Sequence, residues 1–379
     1  MERVHFVGLD VHTQGTEMAV VSQTGRVTRR ERCKTTIPDL LTIIKSIGRP
    51  RYVVIEEGPI ADWLLRNLSD SVDSLTICDP RRNHLIAKDS DKDDPIDAEK
   101  LAQLHRGGYI KPVHHPESFD RVVFKRHVNL YHDRVRQRVR QANRIMAELR
   151  QYGVFVQESA FNKVADSLGR AELLRRLPRN ATVCADLRCL WKGYDAVVEQ
   201  VEEMEERLIR LAKKQPQIRR FTALPGVKWI RAATFFAYVD TPWRFKSKSA
   251  LWKYLGIGLE RRHSGGGTEN VHLAMWTHRR LKYTILGAAQ SATASRDNPF
   301  ADQYERWIHE GLTPRIARRN VARSQAAVMW GMWKNGSVYR PELVGVTNNG
   351  RTMRSSQADR RTTRGRRSSP GGIGPSLRT

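Results

Sequence analysis

The chain is 379 residues long, which is enough for two or three domains that each bury a core. Its 66 Lys and Arg outnumber 40 Asp and Glu, and the resulting formal net charge of +26 favours a polyanionic partner over a small metabolite. Hydrophobic residues at 40% and aromatic residues at 8% exclude a chain that is disordered throughout.

The spacing of the cysteines argues against a structural zinc site, and the length of the apolar runs argues against a membrane-spanning helix. The four cysteines lack Cys-x-x-Cys spacing, which is typical of reduced thiols in a cytoplasm (Cys33, Cys78, Cys184 and Cys189). No apolar stretch approaches the roughly 18 residues that a spanning helix needs. We therefore expect a cytoplasmic protein that is neither secreted nor embedded in a membrane.

The first 115 residues alternate the patterns of strands and helices. Two β-branched runs, Val4–His12 and Glu17–Ser22, followed after a turn by Arg26–Lys34, predict a three-stranded antiparallel meander. Ile37–Ile47 has helical spacing, and the buried run Tyr52–Ile55 predicts a fourth strand. Further helices are predicted over 61–68 and 96–105, with a strand over 74–78 between them. This order predicts an RNase H-like domain over residues 1–115, an α/β fold.

Residues 116–215 contain two runs in which apolar residues step by three and four. One runs from Val128 to Tyr152 and the other from Leu187 to Leu211. They predict a coiled-coil helical arm, formed either as an antiparallel pair or as an oligomerising coiled coil. The stretch from Arg121 to Arg150 contains nine basic residues and only two acidic ones. This excess of one sign favours a surface that binds successive phosphates over an ordinary solvated helix face.

Residues 216–340 predict a compact and mainly helical C-terminal domain. Its predicted helices include Ala250–Leu255, Arg280–Thr293 and Ile316–Trp333. The helical periodicity of apolar residues ends near Pro341. The stretch from Arg351 to Thr379 contains eight Arg and one Asp among Ser, Thr, Gly and Pro. We predict that 341–379 is a disordered basic tail.

Four carboxylates follow the ends of predicted elements. Asp10 ends the first strand, Glu56 ends the fourth, and Asp94 and Asp97 begin a helix on one face. Four acids arranged in this way can hold two Mg²⁺ ions about 3.5–4 Å apart. The alternative is structural, since Asp94 could be an N-cap before Pro95 and Asp97 a favourable charge in the first helical turn. The spacing also leaves Glu57 and Asp93 open as neighbours of Glu56 and Asp94.

Ser264 stands between a basic run and three glycines, in the sequence Arg-Arg-His-Ser-Gly-Gly-Gly-Thr. Glycine permits close approach of the backbone, and basic residues could hold a phosphodiester and activate the hydroxyl as a nucleophile. The alternative is a glycine-rich surface loop that contains an incidental serine.

Taken together, these motifs resemble the DEDD-type transposases of the insertion-sequence 110 family. The resemblance covers roughly residues 4–345 and lies in GLDVH around Asp10, in Glu56-Glu57-Gly58-Pro59 and in the segment Lys92–Ala102. It continues in Leu224-Pro225-Gly226-Val227, Arg244-Phe245-Lys246-Ser247, Tyr254-Leu255-Gly256 and Ser264-Gly265.

The resemblance implies a RuvC-like N-terminal domain, a coiled-coil arm and a C-terminal transposase domain that carries the serine nucleophile. It implies metal binding and catalysis by Asp10, Glu56, Asp94 and Asp97, and a 5′-phosphoserine link between Ser264 and DNA. It also implies Mg²⁺ as cofactor, donor and target DNA, a structured non-coding guide RNA, a homodimer or homotetramer, and a place beside the prokaryotic nucleoid.

Three functions are therefore to be distinguished. The first is an RNA-guided, Mg²⁺-dependent DNA recombinase of an insertion sequence, which cuts and rejoins strands through Ser264. The second is a RuvC-like hydrolytic endonuclease in which water attacks the phosphate. The third is a catalytically inactive nucleic-acid-binding protein, whose binding would depend on salt but not on Mg²⁺.

Overall fold

The computed structural model describes residues 4–80, 94–157, 167–262, 270–274 and 277–344. The chain divides into two compact units, Met1–Glu117 and Ser118–Thr379, which are described separately below.

A five-stranded mixed sheet forms the centre of the first unit. Its strands are β1 (His5–Val11), β2 (Gly15–Ser22), β3 (Val27–Lys34), β4 (Arg51–Glu56) and β5 (Ser74–Cys78). The first three form an antiparallel meander, and β4 and β5 extend the sheet in parallel from β1, in the order β3-β2-β1-β4-β5. The predicted meander followed by parallel strands is confirmed.

Helices cover both faces of this sheet. On one face lie α1 (Ile37–Lys45) and α2 (Ala61–Leu68), followed by a 3-10 turn at Ser69–Ser71. Their apolar residues pack against alternate strand residues (Val7, Leu9, Val53, Ile55, Leu40, Ile44, Leu64 and Leu68). On the other face lies α3 (Asp94–Arg106), whose Leu101 packs with Val54 and Cys78. Each central strand is therefore buried on both faces, as its continuous apolar run indicates.

In the second unit two long helices pack against each other in antiparallel directions. They are α4 (Phe119–Gln151) and α6 (Ala181–Lys213), with α5 (Ser167–Arg175) between them in the chain. The Tyr131 hydroxyl, early in α4, donates to Glu205, late in α6, at 2.8 Å. Leu149, at the other end of α4, shares a core with Leu187. The two apolar runs of the sequence therefore pack on each other within one chain.

The remainder of the second unit is mainly helical. It contains α7 (Pro216–Phe221), α8 (Trp229–Val239), a 3-10 turn (Pro242–Arg244), α9 (Lys248–Tyr254), the antiparallel pair β6 (Leu259–Arg262) and β7 (Asn270–Leu273), α10 (Arg279–Ala294), α11 (Pro299–His309) and α12 (Pro314–Asn335). Its core includes the fully buried rings of Phe221, Phe235, Phe236 and Phe300. The β6–β7 pair and α11 were not predicted from the sequence.

Gly226 shows why the Pro-Gly turn before α8 needs glycine. Its φ is +76°, and a Cβ placed there would lie 2.2 Å from the carbonyl oxygen of Ala288 in α10. Arg231 fixes the same turn by donating to the carbonyl of Gly226 at 2.6 Å and to the hydroxyl of Ser291 at 2.8 Å. The turn is therefore a close packing contact between α8 and α10.

The predicted basic tail begins at residue 341, whereas Pro341–Leu343 form a 3-10 turn and Val344 packs against the helical core. The rest of the tail, 345–379, lies outside the described residues. In the part of the chain that the structure describes, no helix combines the length and the apolar character needed to cross a membrane.

Candidate active site

Asp10 and Glu56 lie beside each other at the carboxyl ends of β1 and β4. The register of these parallel strands pairs Leu9 with Ile55, and the two acids are the next residue of each strand. The Asp10 side chain is 19% exposed, and its Oδ2 lies 3.0 Å from Nε2 of His12, whereas Glu56 is exposed. The structure thus brings together two of the predicted site residues, and it adds His12 as a neighbour that the sequence did not single out.

The first turn of α3 lies at the same end of the sheet. A Cβ on Gly8 would lie 2.0 Å from the carbonyl oxygen of Ala98, and the His105 ring contacts the Phe6 ring at 5.9 Å. The helix therefore runs antiparallel to β1, with its C-terminal end over Phe6. Because successive strand residues alternate between faces, Asp10 lies on the same face as Gly8.

Asp94 and Asp97 belong to that first turn. Asp94 is the first residue of α3, and Asp97 directly precedes Ala98, the residue in contact with Gly8. Asp97 is half-buried, while the side chain of Asp94 and the whole of Asp93 lie outside the described part. Among the described side chains no three of the His, Cys, Asp or Glu type are close enough to hold a metal ion. The backbones of the four predicted acids nevertheless converge on one end of the sheet.

The pleat of β4 separates Glu56 from its neighbour Glu57. Val54 packs with Leu101 of α3, so Glu56, two residues later, faces the same side as this helix. The Glu57 amide donates to the carbonyl of Cys78 at 2.8 Å, which continues the pairing with β5 for one more residue. In a continued strand Glu57 therefore faces away from α3. The same edge also carries Asp79, directly after β5, which the sequence analysis did not single out.

Carboxylate oxygens are the donors that Mg²⁺ prefers, and it requires one or two of them, with water and substrate phosphate completing its shell. Asp10 and Glu56 are such donors on adjacent strand ends. The donor set at this edge therefore fits Mg²⁺ better than Zn²⁺, which favours His and Cys.

Ser264 lies in 263–269, outside the described residues, in the segment that joins β6 to β7. The two strands pair from Leu259 with Leu273 to Arg262 with Asn270. Beyond the other end of this strand pair, the amide of His278 donates to the carbonyl of Tyr254 at 3.3 Å. Tyr254 and His278 thus form the base of the hairpin, and the segment with the predicted nucleophile joins the strands at the opposite end.

Three basic side chains lie near the His278 ring: Lys125, Arg244 and Arg280. We call these three residues and His278 the basic cluster. Arg244 lies over the Tyr254 ring at 4.5 Å and donates to the carbonyl of Tyr238 at 3.0 Å. The His278 ring lies 4.1 Å from the ring of Tyr238. Sequence reasoning missed this cluster, because its members are far apart along the chain.

Arg280 links the basic cluster to α4. One of its terminal nitrogens donates to Asn129 at 2.6 Å and to the Tyr238 hydroxyl at 2.5 Å, and the other donates to Asp133 at 3.0 Å. Burial and the Arg280 charge lower the pKa of His132 and of His278 to about 4, so both rings are neutral near pH 7. The Lys125 charge further lowers the pKa of His278.

The arginine-rich face of α4 is not uniform. Arg121 is largely buried, donates to the Asp240 carboxylate at 2.9 Å and stacks on the Phe236 ring at 3.5 Å, so it fastens α4 to α8. Other arginines of the helix are exposed to solvent (Arg126, Arg136, Arg140, Arg144 and Arg150), and of these Arg136 pairs with Asp133. The phosphate-tracking surface predicted from the sequence therefore excludes its first arginine.

Comparison with known proteins finds relatives of both units. A transposase family model of the DEDD type, named for insertion sequence 110, matches residues 7–154, and a second model, described as the transposase IS116/IS110/IS902 family, matches residues 218–305. The first match contains Asp10, Glu56, Asp94 and Asp97, and the second contains Ser264.

Two curated proteins are similar to the chain. An uncharacterized 44.8 kDa protein of insertion element IS116 from Streptomyces clavuligerus is 25% identical over 146 residues, which are 38% of this chain and 36% of that protein. The chain thus spans about a third of that relative. The transposase for insertion sequence element IS1111A from Coxiella burnetii is 20% identical over 346 residues, which are 90% of this chain and 92% of that protein.

Proposed function

The chain belongs to the insertion-sequence 110 family of transposases, and from that premise we propose that it cuts and rejoins DNA strands through a covalent 5′-phosphoserine link at Ser264. The N-terminal unit is then an RNase H-like domain of the RuvC type. Asp10, Glu56, Asp94 and Asp97 hold Mg²⁺ there, and a structured non-coding RNA guides a homodimer or homotetramer to donor and target DNA.

One observation carries the proposal for the N-terminal unit. Asp10 and Glu56 follow the paired residues Leu9 and Ile55, at the end of the sheet where α3 begins. Carboxylates from two strand ends and one helix start supply oxygen donors from three directions, which is the requirement of a site for phosphoryl transfer. Bound Mg²⁺ would neutralise charge on the phosphate and lower the pKa of the attacking hydroxyl.

The proposed reaction consists of two balanced phosphoryl transfers. The Ser264 oxygen attacks the scissile phosphorus, the bond from phosphorus to the 3′ oxygen breaks, and the proton of the serine hydroxyl ends on the departing 3′ oxygen. A 5′-phosphoserine and a free 3′-hydroxyl result. A 3′-hydroxyl of the recombining strand then attacks the phosphoserine, which forms a new phosphodiester and returns the proton to Ser264. Since one phosphate ester replaces another at each step, no external energy source is needed.

The charge distribution supports a nucleic-acid partner. The chain carries a formal charge of +26, and exposed arginines occupy α4. Where base pairing with a guide RNA reads the sequence, the protein needs to recognise only backbone and shape. We propose the organisation 1–115 for the catalytic domain, 116–215 for the coiled-coil arm, 216–340 for the domain with the serine and 341–379 for the tail.

The proposal is tested by incubating the full-length protein with RNA transcribed from the DNA that flanks its gene, a matching end-labelled duplex and Mg²⁺. On a denaturing gel we expect labelled DNA that migrates with the protein. This adduct should disappear in Ser264→Ala, in Asp10→Asn and when EDTA removes Mg²⁺.

Free cleaved strands that persist in Ser264→Ala would instead support a hydrolytic RuvC-like endonuclease. Salt-dependent binding with neither cleavage nor adduct would support an inactive nucleic-acid-binding protein, and would contradict the proposal once the RNA is shown to bind.

A further inference from the structure

Trp243 presents its indole ring to solvent. The residue is 71% exposed, whereas tryptophans are largely buried in most folded proteins. It lies in the middle of the 3-10 turn Pro242–Arg244, where its amide donates to the Thr241 hydroxyl at 3.4 Å. Its indole N–H has no hydrogen-bond acceptor among the described residues. The ring is therefore available to a ligand and is not a part of the core.

Buried contacts fix this turn on both sides of the exposed ring. The carbonyl of Pro242, a buried residue, accepts a hydrogen bond from the Trp330 indole at 2.8 Å. Arg244 donates to the carbonyl of Tyr238 at 3.0 Å, and Phe245 belongs to the helical core. These contacts hold the turn without covering the exposed ring, so little conformational freedom would be lost when a ligand binds.

A positive charge lies against one face of the ring. The Lys334 ammonium is 4.9 Å from the centre of the Trp243 ring and 4.0 Å from the centre of the Trp330 ring. In the described part of the chain, no carboxylate forms an ion pair with Lys334. Because most of Trp243 is exposed, the opposite face of its ring is open. One face of the indole thus carries a cation, and the other can stack on a flat ligand.

The chain around Trp243 is basic. The stretch from Thr241 to Gly258 contains four basic residues and no acidic one (Arg244, Lys246, Lys248 and Lys253). Lys246 and Lys248, which follow Trp243 by three and five residues, are exposed. Lysine is depleted at protein–protein interfaces, whereas an aromatic ring among basic side chains is the combination by which proteins bind unpaired nucleic-acid strands. The surroundings of Trp243 therefore favour a nucleic acid over a protein partner.

We propose that Trp243 is a stacking platform for an unpaired base of single-stranded DNA, and that Lys246, Lys248 and Lys334 attract the phosphate backbone of that strand. The inference rests on the proposed function, because an RNA that pairs with one DNA strand displaces the other and leaves its bases unpaired. Every base has an aromatic face, so this contact holds a strand without reading its sequence. The platform binds DNA and is separate from the reacting groups.

A duplex offers this platform little, because its bases are already stacked on one another. The affinity that Trp243 contributes should therefore appear with single strands and be absent with a blunt duplex. A contact that acts through charge alone would affect both kinds of DNA.

The test measures the dissociation constant of the full-length protein for a labelled oligodeoxyuridylate, which does not pair with itself, by fluorescence anisotropy. The variants are Trp243→Leu, which keeps an apolar side chain without a ring, and Trp243→Phe, which keeps a ring. Phe155→Leu is the matched control, because Phe155 is 73% exposed and no cation lies over its ring among the described residues. Thermal unfolding of each variant shows that it is folded.

We expect Trp243→Leu to weaken single-strand binding roughly 5- to 100-fold, because one base loses its stacking partner. Trp243→Phe should retain most of the affinity, and Phe155→Leu should leave it unchanged. Binding of a blunt duplex should be the same in all four proteins. Unchanged single-strand binding in Trp243→Leu, or an equal loss on the duplex, would overturn the inference.

The fluorescence of the indole gives a second measurement. The chain contains nine tryptophans, and a base that stacks on an exposed one quenches its emission. We expect the oligodeoxyuridylate to quench part of the emission of the wild type and a smaller part in Trp243→Phe, although this variant still binds. Equal quenching in the two proteins would place the contact on another residue and overturn the inference.

Two further observations separate the possible partners. The oligouridylate of the same length differs from the DNA strand only in its 2′-hydroxyl groups. A loss in Trp243→Leu that is greater on RNA than on DNA would assign the platform to RNA and contradict the proposal. Unchanged DNA binding with an altered oligomeric state would assign Trp243 to a protein interface, which also contradicts it.

These outcomes are independent of the chemistry at Ser264, since the titrations involve no cleavage. Loss of single-strand affinity in Trp243→Leu together with absence of a serine adduct would retain the platform and reject the phosphoserine mechanism. The converse result would retain the mechanism and reject the platform.

Discussion

Gly8 of β1 and Ala98 of α3 are in such close contact that a side chain on Gly8 would overlap the backbone of the helix. A Cβ there would lie 2.0 Å from the Ala98 carbonyl oxygen and 2.8 Å from the Ala102 amide nitrogen. Both obstacles are backbone atoms, so no rotamer change relieves the overlap. This contact sets how closely the start of α3 approaches the strand ends that carry Asp10 and Glu56.

Gly8→Ala should therefore destabilise the first unit and displace α3. We expect a loss of roughly 1–3 kcal/mol in the free energy of unfolding, measured by urea titration, because overpacking forces backbone shifts. Gly58→Ala is the control, since a Cβ at Gly58 meets nothing within 4 Å. Equal stability of the two variants would contradict the close contact.

The pleat of β4 predicts different roles for two adjacent glutamates. Glu56→Gln should reduce DNA cleavage at least about 100-fold, because it removes a carboxylate on the face that α3 covers. Glu57→Gln changes the same charge one residue later and should retain most of the activity. Cleavage of a labelled duplex in Mg²⁺ decides between them, and a greater loss in Glu57→Gln would reverse the assignment.

Two arginines of α4 should respond differently to the same substitution. Arg121→Gln should lower the free energy of unfolding by about 2–3 kcal/mol, because it removes a largely buried ion pair with Asp240 and the stacking on Phe236. Arg126→Gln, at an exposed position, should change stability by less than about 0.5 kcal/mol and lower the salt slope of DNA binding by about one. Denaturant titration and anisotropy separate these effects, and the reverse pattern would show that Arg121 is the residue facing DNA.

The buried histidines predict that stability falls in mild acid. The pKa of His132 and of His278 is about 4 in the folded protein and near the ordinary 6.5 when unfolded. Between these values the unfolded chain binds more protons, so stability is fully present above about pH 6.5 and decreases as the pH falls towards 4. Each histidine contributes at most about 1.4 kcal/mol per pH unit in this window.

His132→Gln should flatten that pH dependence. In the wild type Nε2 of His132 donates to the Thr234 hydroxyl at 2.9 Å, which in turn donates to the Ile230 carbonyl at 2.7 Å, and glutamine retains a donor without titrating. Urea midpoints measured across the window test this. An identical pH profile in the variant would mean that His132 is not responsible.

The sheet and the long helices could be predicted from the sequence, because their apolar residues recur with the period of a strand or a helix. The run Tyr52–Ile55 became β4 and the run from Leu187 to Leu211 lies within α6. The β6–β7 pair was missed because it has four residues on each strand, too few to show alternation. The helix α11 was missed although the sequence carries its signals, since Asn298 caps it and Phe300, Tyr304 and Trp307 recur at helical spacing.

The two candidate sites also differ in how far the sequence could predict them. Asp10 and Glu56 could be found from the sequence because an acid that directly ends an apolar run is a local signal. The basic cluster could not, because Lys125, Arg244 and Arg280 come from three separated segments and meet only through packing. Asp79 carries the same local signal after β5 and was passed over, whereas the place of His12 beside the Asp10 carboxylate became visible only in the structure.

The central claim, a covalent link between DNA and Ser264, is tested most directly by mass spectrometry of the protein–DNA adduct. The adduct formed with RNA and Mg²⁺ is trimmed with nuclease and protease, and the peptide that retains a nucleotide is sequenced. We predict a nucleotide joined through its 5′ phosphate to Ser264. A link to any other residue, or complete strand cleavage without a linked peptide, would contradict the serine mechanism.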